Sequence, residues 1–171
     1  SNLTKNRHFL QFMQWQGCWE SSMTKFETDL RIGKDVEKTV LYIIQKKYPK
    51  AFMIDGKFSP YDIFIPEISK SIEVKSDRKS KHTGNLVIEV SMYGKPSALM
   101  ATLADCWVIY TGEQFIWITP LQLKNMIVEN GLQLRTFVGN GDTEPKNAYL
   151  PKVEMVMQYA ERVQNYGKET V

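Results

Sequence analysis

The sequence predicts an α/β (α+β) domain with a mixed central sheet of about five strands flanked by helices. Three observations carry this expectation. Short β-branched and aromatic runs alternate with segments of helical apolar spacing, in the order helix, three strands, helix, two strands, helices. Turn and cap signals punctuate the runs where elements should end. The chain has 171 residues, 43% of them hydrophobic and 24% charged, which suits one domain with a buried core and excludes a disordered polymer.

The elements follow in order. Residues 5–20 carry Phe9, Phe12, Met13, Trp15 and Trp19 at helix-like spacing, either a helix packed on the core or an arm that packs on a second subunit. Residues 33–47 form the next helix, with Val36, Val40, Ile43 and Ile44 on one stripe and Tyr48-Pro49 ending it. Asp55-Gly56 is a turn. Residues 61–65 read as a strand stopped by Pro66, residues 71–76 as its partner, and the short link predicts a hairpin. A polar loop over 76–85 leads to a third strand at 86–91 and a short helix at 96–103. Residues 106–110 and 115–118 flank Thr111-Gly112 as a second hairpin. Thr119-Pro120 is an N-cap followed by an N1 proline, and Gly131 closes that helix. Residues 139–147 read as a loop and 152–164 as a last helix. The expected organisation is a helical arm over 1–30, a core over 33–118, and C-terminal helices and a loop over 119–171.

Several function classes fall away. No apolar run approaches the roughly 18 residues a membrane span needs. Cys18 and Cys106 form neither a CxxC nor a disulfide framework, which favours an intracellular, cytoplasmic setting. With His8 and His82 as the only histidines, a structural zinc site and a Ser-His-Asp triad are both unpersuasive. No GxxxxGK[ST] or GxGxxG is present, so no nucleotide cofactor is expected. The net charge of +3 does not identify a nucleic-acid partner by itself, because a whole-chain sum hides local patches.

Acids inside strands are the informative feature. Strand side chains alternate between faces, so Tyr61, Ile63 and Ile65 share one face and Asp62 lies on the other with Phe64. Ile72 and Val74 share a face, leaving Glu73 and Lys75 together on the opposite one. If the two strands pair, Asp62, Glu73 and Lys75 converge. Half-buried carboxylates are costly unless paired or ligating a cation. The trio therefore reads as a divalent-metal site with a basic helper, or as a structural Glu73–Lys75 ion pair on a solvated sheet face. Glu37 shares its helix face with Val40, Leu41 and Ile44, as a site residue or as a stripe-edge acid paired with a lysine.

Asp62, ten intervening residues, then Glu73-Val74-Lys75 resembles the D…ExK signature of the PD-(D/E)XK nucleases, metal-dependent phosphodiesterases with a restriction-endonuclease-like fold. Glu37, in the preceding helix, stands where the family carries a glutamate. Gly84-Asn85-Leu86-Val87-Ile88-Glu89, Gly94-Lys95-Pro96-Ser97 and Ala104-Asp105-Cys106-Trp107 resemble phage and Holliday-junction-resolvase-like members. The resemblance spans roughly residues 33–118. Two positions depart from it: Tyr61 separates Pro60 from Asp62, and Ala98 stands where members often have glycine.

The resemblance implies a Mg²⁺- or Mn²⁺-dependent deoxyribonuclease, bacterial or phage-encoded, acting on DNA that includes branched forms, with a homodimer as the expected assembly. Asp62, Glu73 and the Val74 carbonyl would ligate the metal. Lys75 would position the attacking water, and Glu37 would hold a metal-bound water or a second metal. Glu89 would face the site or pair with Lys95. Ser97 would touch a phosphate or cap the short helix. The basic loop with Arg78, Lys79 and Lys81 would hold phosphates, or is simply a solvated loop, and Lys95 joins the nucleic-acid-binding set. Trp107 and Trp117 read as core. A non-catalytic DNA-binding or assembly module that retains the fold is the competing expectation.

Overall fold

The computed structural model describes residues 36–56, 59–138 and 144–166. The aromatic segment 5–20 and the start of the first predicted helix lie outside the described residues. Helix α1 spans Val36–Gln45 and buries Thr39, Val40, Ile43 and Ile44 along one stripe. Its end is set by the Lys47 and Tyr48 amides, which both donate to the Ile44 carbonyl.

The first predicted hairpin is present. β2 (Ile63–Ile65) and β3 (Lys70–Ser76) pair antiparallel, with Ile63 opposite Ile72 and Phe64 opposite Ser71. A 3₁₀ turn at Pro66–Ile68 joins them. β1 (Phe52–Met53) adds to the free edge of β2. On its other side β3 pairs in parallel with β6 (Cys106–Tyr110), in a register that sets Glu73 beside Trp107 and Lys75 beside Ile109. β7 (Gln114–Ile118) completes the second predicted hairpin, and β10 (Arg162–Asn165) pairs with β7. The result is a mixed six-stranded sheet in the order β1-β2-β3-β6-β7-β10.

A parallel pair cannot be closed by a tight turn, and the long crossover from β3 to β6 folds into a second sheet. β4 (Ile88–Met92) pairs with β5 (Lys95–Pro96) and with β9 (Lys146–Tyr149), and β9 pairs with β8 (Arg135–Phe137). The two-residue Tyr93-Gly94 turn between β4 and β5 has φ of 54° and 70°, the left-handed pair that matches strand twist in a tight hairpin.

The middle of the six-stranded sheet is covered on both faces. Ile63, Ile65, Ile72, Val108, Phe115 and Trp117 pack with α1 on one side. Trp107, Ile109, Ile116 and Ile118 pack on the other against Ile88 of β4, Leu123 and Met126 of α3 (Pro120–Glu129), and Val156 of α4 (Val153–Tyr159). All of β6 is therefore buried, as expected for a strand covered on both faces. Thr119 and Gln122 form a reciprocal capping box at the start of α3, as the Thr-Pro signal predicts.

Several expectations are corrected. The sheet of about five strands is six strands plus a separate four-stranded sheet, and the strand expected at 86–91 lies in the second. The 96–103 helix is β5 followed by a 3₁₀ turn at Ala98–Met100. Ala98 there has φ 41°, a left-handed conformation that glycine favours. The loop at 139–147 gives way to β9 at Lys146, while 139–143 lies outside the described residues. The last helix stops at Tyr159, because Arg162–Asn165 supplies the hydrogen bonds that the edge of β7 otherwise lacks. Tyr61 packs with the second core cluster, opposite Ile63 and Ile65, because the strand begins only at Ile63 and the two-residue period does not extend back to it. Within the predicted polar loop, Ser80–Thr83 forms the short helix α2.

The β3–β6 register is clamped by Asp105. Its Oδ2 accepts from the Ser71 amide and hydroxyl, both at 3.0 Å, while its own amide donates to the Ser71 carbonyl at 3.1 Å. Ser71 is buried, so losing the carboxylate orphans a buried donor. Asp105→Ala is expected to cost about 1–3 kcal/mol, measured by chemical denaturation against wild type.

Candidate active site

Asp62 immediately precedes β2, and its amide donates to the Ile72 carbonyl of β3 at 2.9 Å. Its carbonyl accepts from the Ile54 amide at 2.8 Å, on the side away from β3. Its carboxylate Oδ2 instead accepts from the Val74 amide of β3 at 2.7 Å. The side chain thus takes the place of a backbone acceptor, which holds the carboxyl group against β3 beside Glu73.

Glu73 and Lys75 follow from the alternation of β3. Lys75 Nζ lies 3.3 Å from Glu73 Oε1 and 5.2 Å from the centre of the Trp107 ring. Glu73 Oε2 accepts from the Thr102 hydroxyl at 2.9 Å, and Thr102 Oγ1 accepts from Trp107 Nε1 at 3.1 Å and from the Ala104 amide at 3.2 Å. Trp107, Thr102, Glu73 and Lys75 therefore form one chain of contacts on the face predicted for the acids. The role of Thr102 has no sequence signal. It lies 29 residues from Glu73 and meets it only because β3 and β6 pair.

Burial is the main cause that pushes the Asp62 carboxyl above the ordinary aspartate range, and the Glu73 charge adds to it. The Val74 amide and the Lys75 ammonium act in the opposite direction. Two carboxylates and a lysine are thus electrostatically coupled at one end of β3. Glu37 is half-buried in the first turn of α1, on the helix that covers the opposite face of the sheet.

A cleft of about 450 Å³ opens beside this trio, between the two sheets. Lys75, Asp77 and Trp107 line one side, Glu89 and Lys146 the other. Glu89 pairs with Lys146 at 3.5 Å, where the sequence offered Lys95 as its ion partner. Lys95 instead stands exposed on the edge strand β5. Ser97 takes the N-cap position of the 3₁₀ turn by backbone only. Its hydroxyl donates to Glu89 Oε2 at 2.7 Å instead of capping. Lys146 falls where the sequence reads as a loop, and nothing in its neighbourhood marks it.

The basic loop sits against the β6–β7 turn. The Arg78 guanidinium lies 5.6 Å from the Tyr110 ring centre and Lys81 Nζ lies 3.9 Å from Glu113. Lys79 is exposed. Asp77 organises the segment by accepting from the Ser80 amide at 3.3 Å and the Val87 amide at 3.0 Å. Arg78, Lys79 and Lys81 follow the end of β3 in the chain, and none of the three lines the cleft.

Among the described residues, no group of three or more His, Cys, Asp or Glu side chains is arranged to hold a metal ion. The donor set is two carboxylates. That set suits a hard cation of the Mg²⁺ kind, which takes one or two carboxylates and keeps several waters, and does not suit a fully caged ion. The chemistry it offers is charge neutralisation beside a positioned lysine. Compared with known proteins, the chain matches no family model, no curated protein and no solved structure. No helix among the described residues is long and apolar enough to cross a membrane.

Two outcomes are expected. A carboxylate with a raised folded-state pKa gives stability that is full below its unfolded pKa and lost as pH rises through the folded pKa. Asp62→Asn, which keeps an acceptor for the Val74 amide, should therefore unfold at a higher temperature than wild type at neutral pH, with the gap closing on acidification; calorimetry from pH 7 down to pH 3 reads it. Thr102→Val leaves the buried Trp107 indole N–H without its acceptor, a loss of about 1–3 kcal/mol. Thr102→Ser should restore most of it in the same denaturation assay.

Proposed function

We propose that this chain is a metal-dependent nuclease of the PD-(D/E)XK type that hydrolyses DNA phosphodiester bonds. The observation that carries the reading is the convergence of Asp62, Glu73 and Lys75 on one face of β3, beside a cleft that Lys75 and Lys146 line. The left-handed backbone at Ala98, where the resemblance expects glycine, is in keeping with it.

Asp62 and Glu73, with the Val74 carbonyl, would hold Mg²⁺ or Mn²⁺, and the ion would stabilise negative charge on the phosphoryl oxygens and acidify a water. The chain's own groups supply the rest. The Val74 amide and Thr102 hydroxyl hold the two carboxylates in place, so little reorganisation accompanies ligand binding. Lys75, propped by Glu73 and Trp107, donates hydrogen bonds to the attacking water or the phosphate. Glu37, on the helix that covers the opposite face of the sheet, is given no part in holding the ion. Arg78, Lys79 and Lys81 bind neighbouring phosphates as point charges and carry no base preference.

A cleavage panel tests this. Labelled four-way junction, flap, duplex, single-stranded DNA and RNA are incubated with Mg²⁺, Mn²⁺ or EDTA. Metal-dependent cutting of DNA is expected, reduced at least about 100-fold in Asp62→Ala and Lys75→Ala. Binding without cutting on every substrate and metal would overturn the nuclease and leave a non-catalytic DNA-binding module.

A further inference from the structure

The cleft between the sheets holds more than the catalytic reading uses. Its second wall carries Lys146 and Glu89, with side chains only 25% and 22% exposed, and neither is needed to position Asp62, Glu73 or Lys75. Glu89 is held independently by the Ser97 hydroxyl at 2.7 Å. Lys146 can therefore turn from Glu89 to an incoming anion without leaving that carboxylate unpartnered.

Size and lining restrict the occupant. At about 450 Å³ the cleft lies in the lower part of the range of small-ligand pockets, about 300–1,000 Å³. One nucleotide fits that volume, whereas a base-paired helix does not. Ile109 and Trp107 form its apolar floor, with Ala98 and the half-exposed Val87 at its sides. Each lysine is already balanced by a carboxylate and Asp77 adds a further acid, so the cleft is no general anion trap. It matches a ligand that offers a phosphate to Lys146 and a flat apolar group to the floor.

We propose that the cleft seats a single unstacked nucleotide of the substrate strand, with Lys146 gripping its phosphate and the Trp107–Ile109 floor taking its base. This rests on the nuclease reading and narrows it: the strand must present an unpaired or easily extruded nucleotide at the site, as enzymes that draw a base from the stack require. Single strands, ends and branch points meet that condition more readily than continuous duplex.

The test uses thymidine 5′-monophosphate as probe and the ¹⁵N-labelled protein. The Trp107 indole resonance is the readout, since that N–H sits between the cleft floor and Thr102. A saturable shift is expected. Its affinity should fall at least about fivefold in Lys146→Gln, the size of one charge-assisted hydrogen bond. Lys50→Gln, exposed between α1 and β1 and outside the cleft lining, should bind as wild type. Val87→Trp, at a half-exposed position, should abolish binding while the spectrum stays dispersed. An unmoved Trp107 resonance, equal affinity in Lys146→Gln, or inorganic phosphate or thymidine binding as tightly as the nucleotide would each overturn the assignment. Nucleotide binding of the expected kind in a protein that cuts no DNA sinks the nuclease reading and leaves the cleft standing. DNA cleavage with no response to the nucleotide sinks the cleft alone.

Discussion

The parallel pairing of β3 with β6 is the constraint on which the rest of this structure depends. β3 is the strand where the sheet changes sense, antiparallel to β2 on one side and parallel to β6 on the other. The parallel register sets Glu73 beside Trp107 and brings Thr102 within hydrogen-bond reach of it. A slip of one residue would turn Glu73 and Lys75 into the core that packs on α1 and expose Ile72 and Val74. Asp105, bonded to Ser71 where the two strands start, guards against that slip by tying a unique side chain to a unique backbone position.

The same pairing explains the second sheet. The long crossover between parallel strands must go somewhere, and here it carries β4 and β5, which β9 and β8 extend. That sheet packs on the Trp107 face, and the cleft opens between the two sheets beside Lys75. The site is thus a boundary feature. Burial raises the Asp62 pKa, while Lys75 beside it lines an open cleft. Such a balance costs stability, a common feature of functional positions.

Legibility in the sequence followed the range of the interaction. Both hairpins, the stripe of α1 and the capping box of α3 depend on neighbours a few residues away, and all were readable from alternation, helical spacing and Thr-Pro. β1, β5, β8, β9 and β10 were not. They are short, of mixed polarity, and exist because an adjacent strand offers unsatisfied backbone groups. Arg162–Asn165 carries no strand pattern of note and is a strand because β7 lies open beside it. The acids Asp62 and Glu73 and the lysine Lys75 were legible because charge inside an apolar alternation is conspicuous. Ser97 and Glu89 were read as separate choices, although they bond each other.

By itself the sequence determined the local alternatives: which segments are helix or hairpin, and which face of β3 carries its acid and its base. Those follow from periods of 3.6 and 2 and from turn chemistry, all short-range physics. Only the tertiary structure decided that Thr102 and Trp107 brace Glu73, that Lys146 and not Lys95 meets Glu89, and that Lys75 and the Glu89–Lys146 pair line one cleft. The reason is physical. These contacts join residues tens of positions apart, and no local pattern encodes a partner that chain packing alone brings within reach.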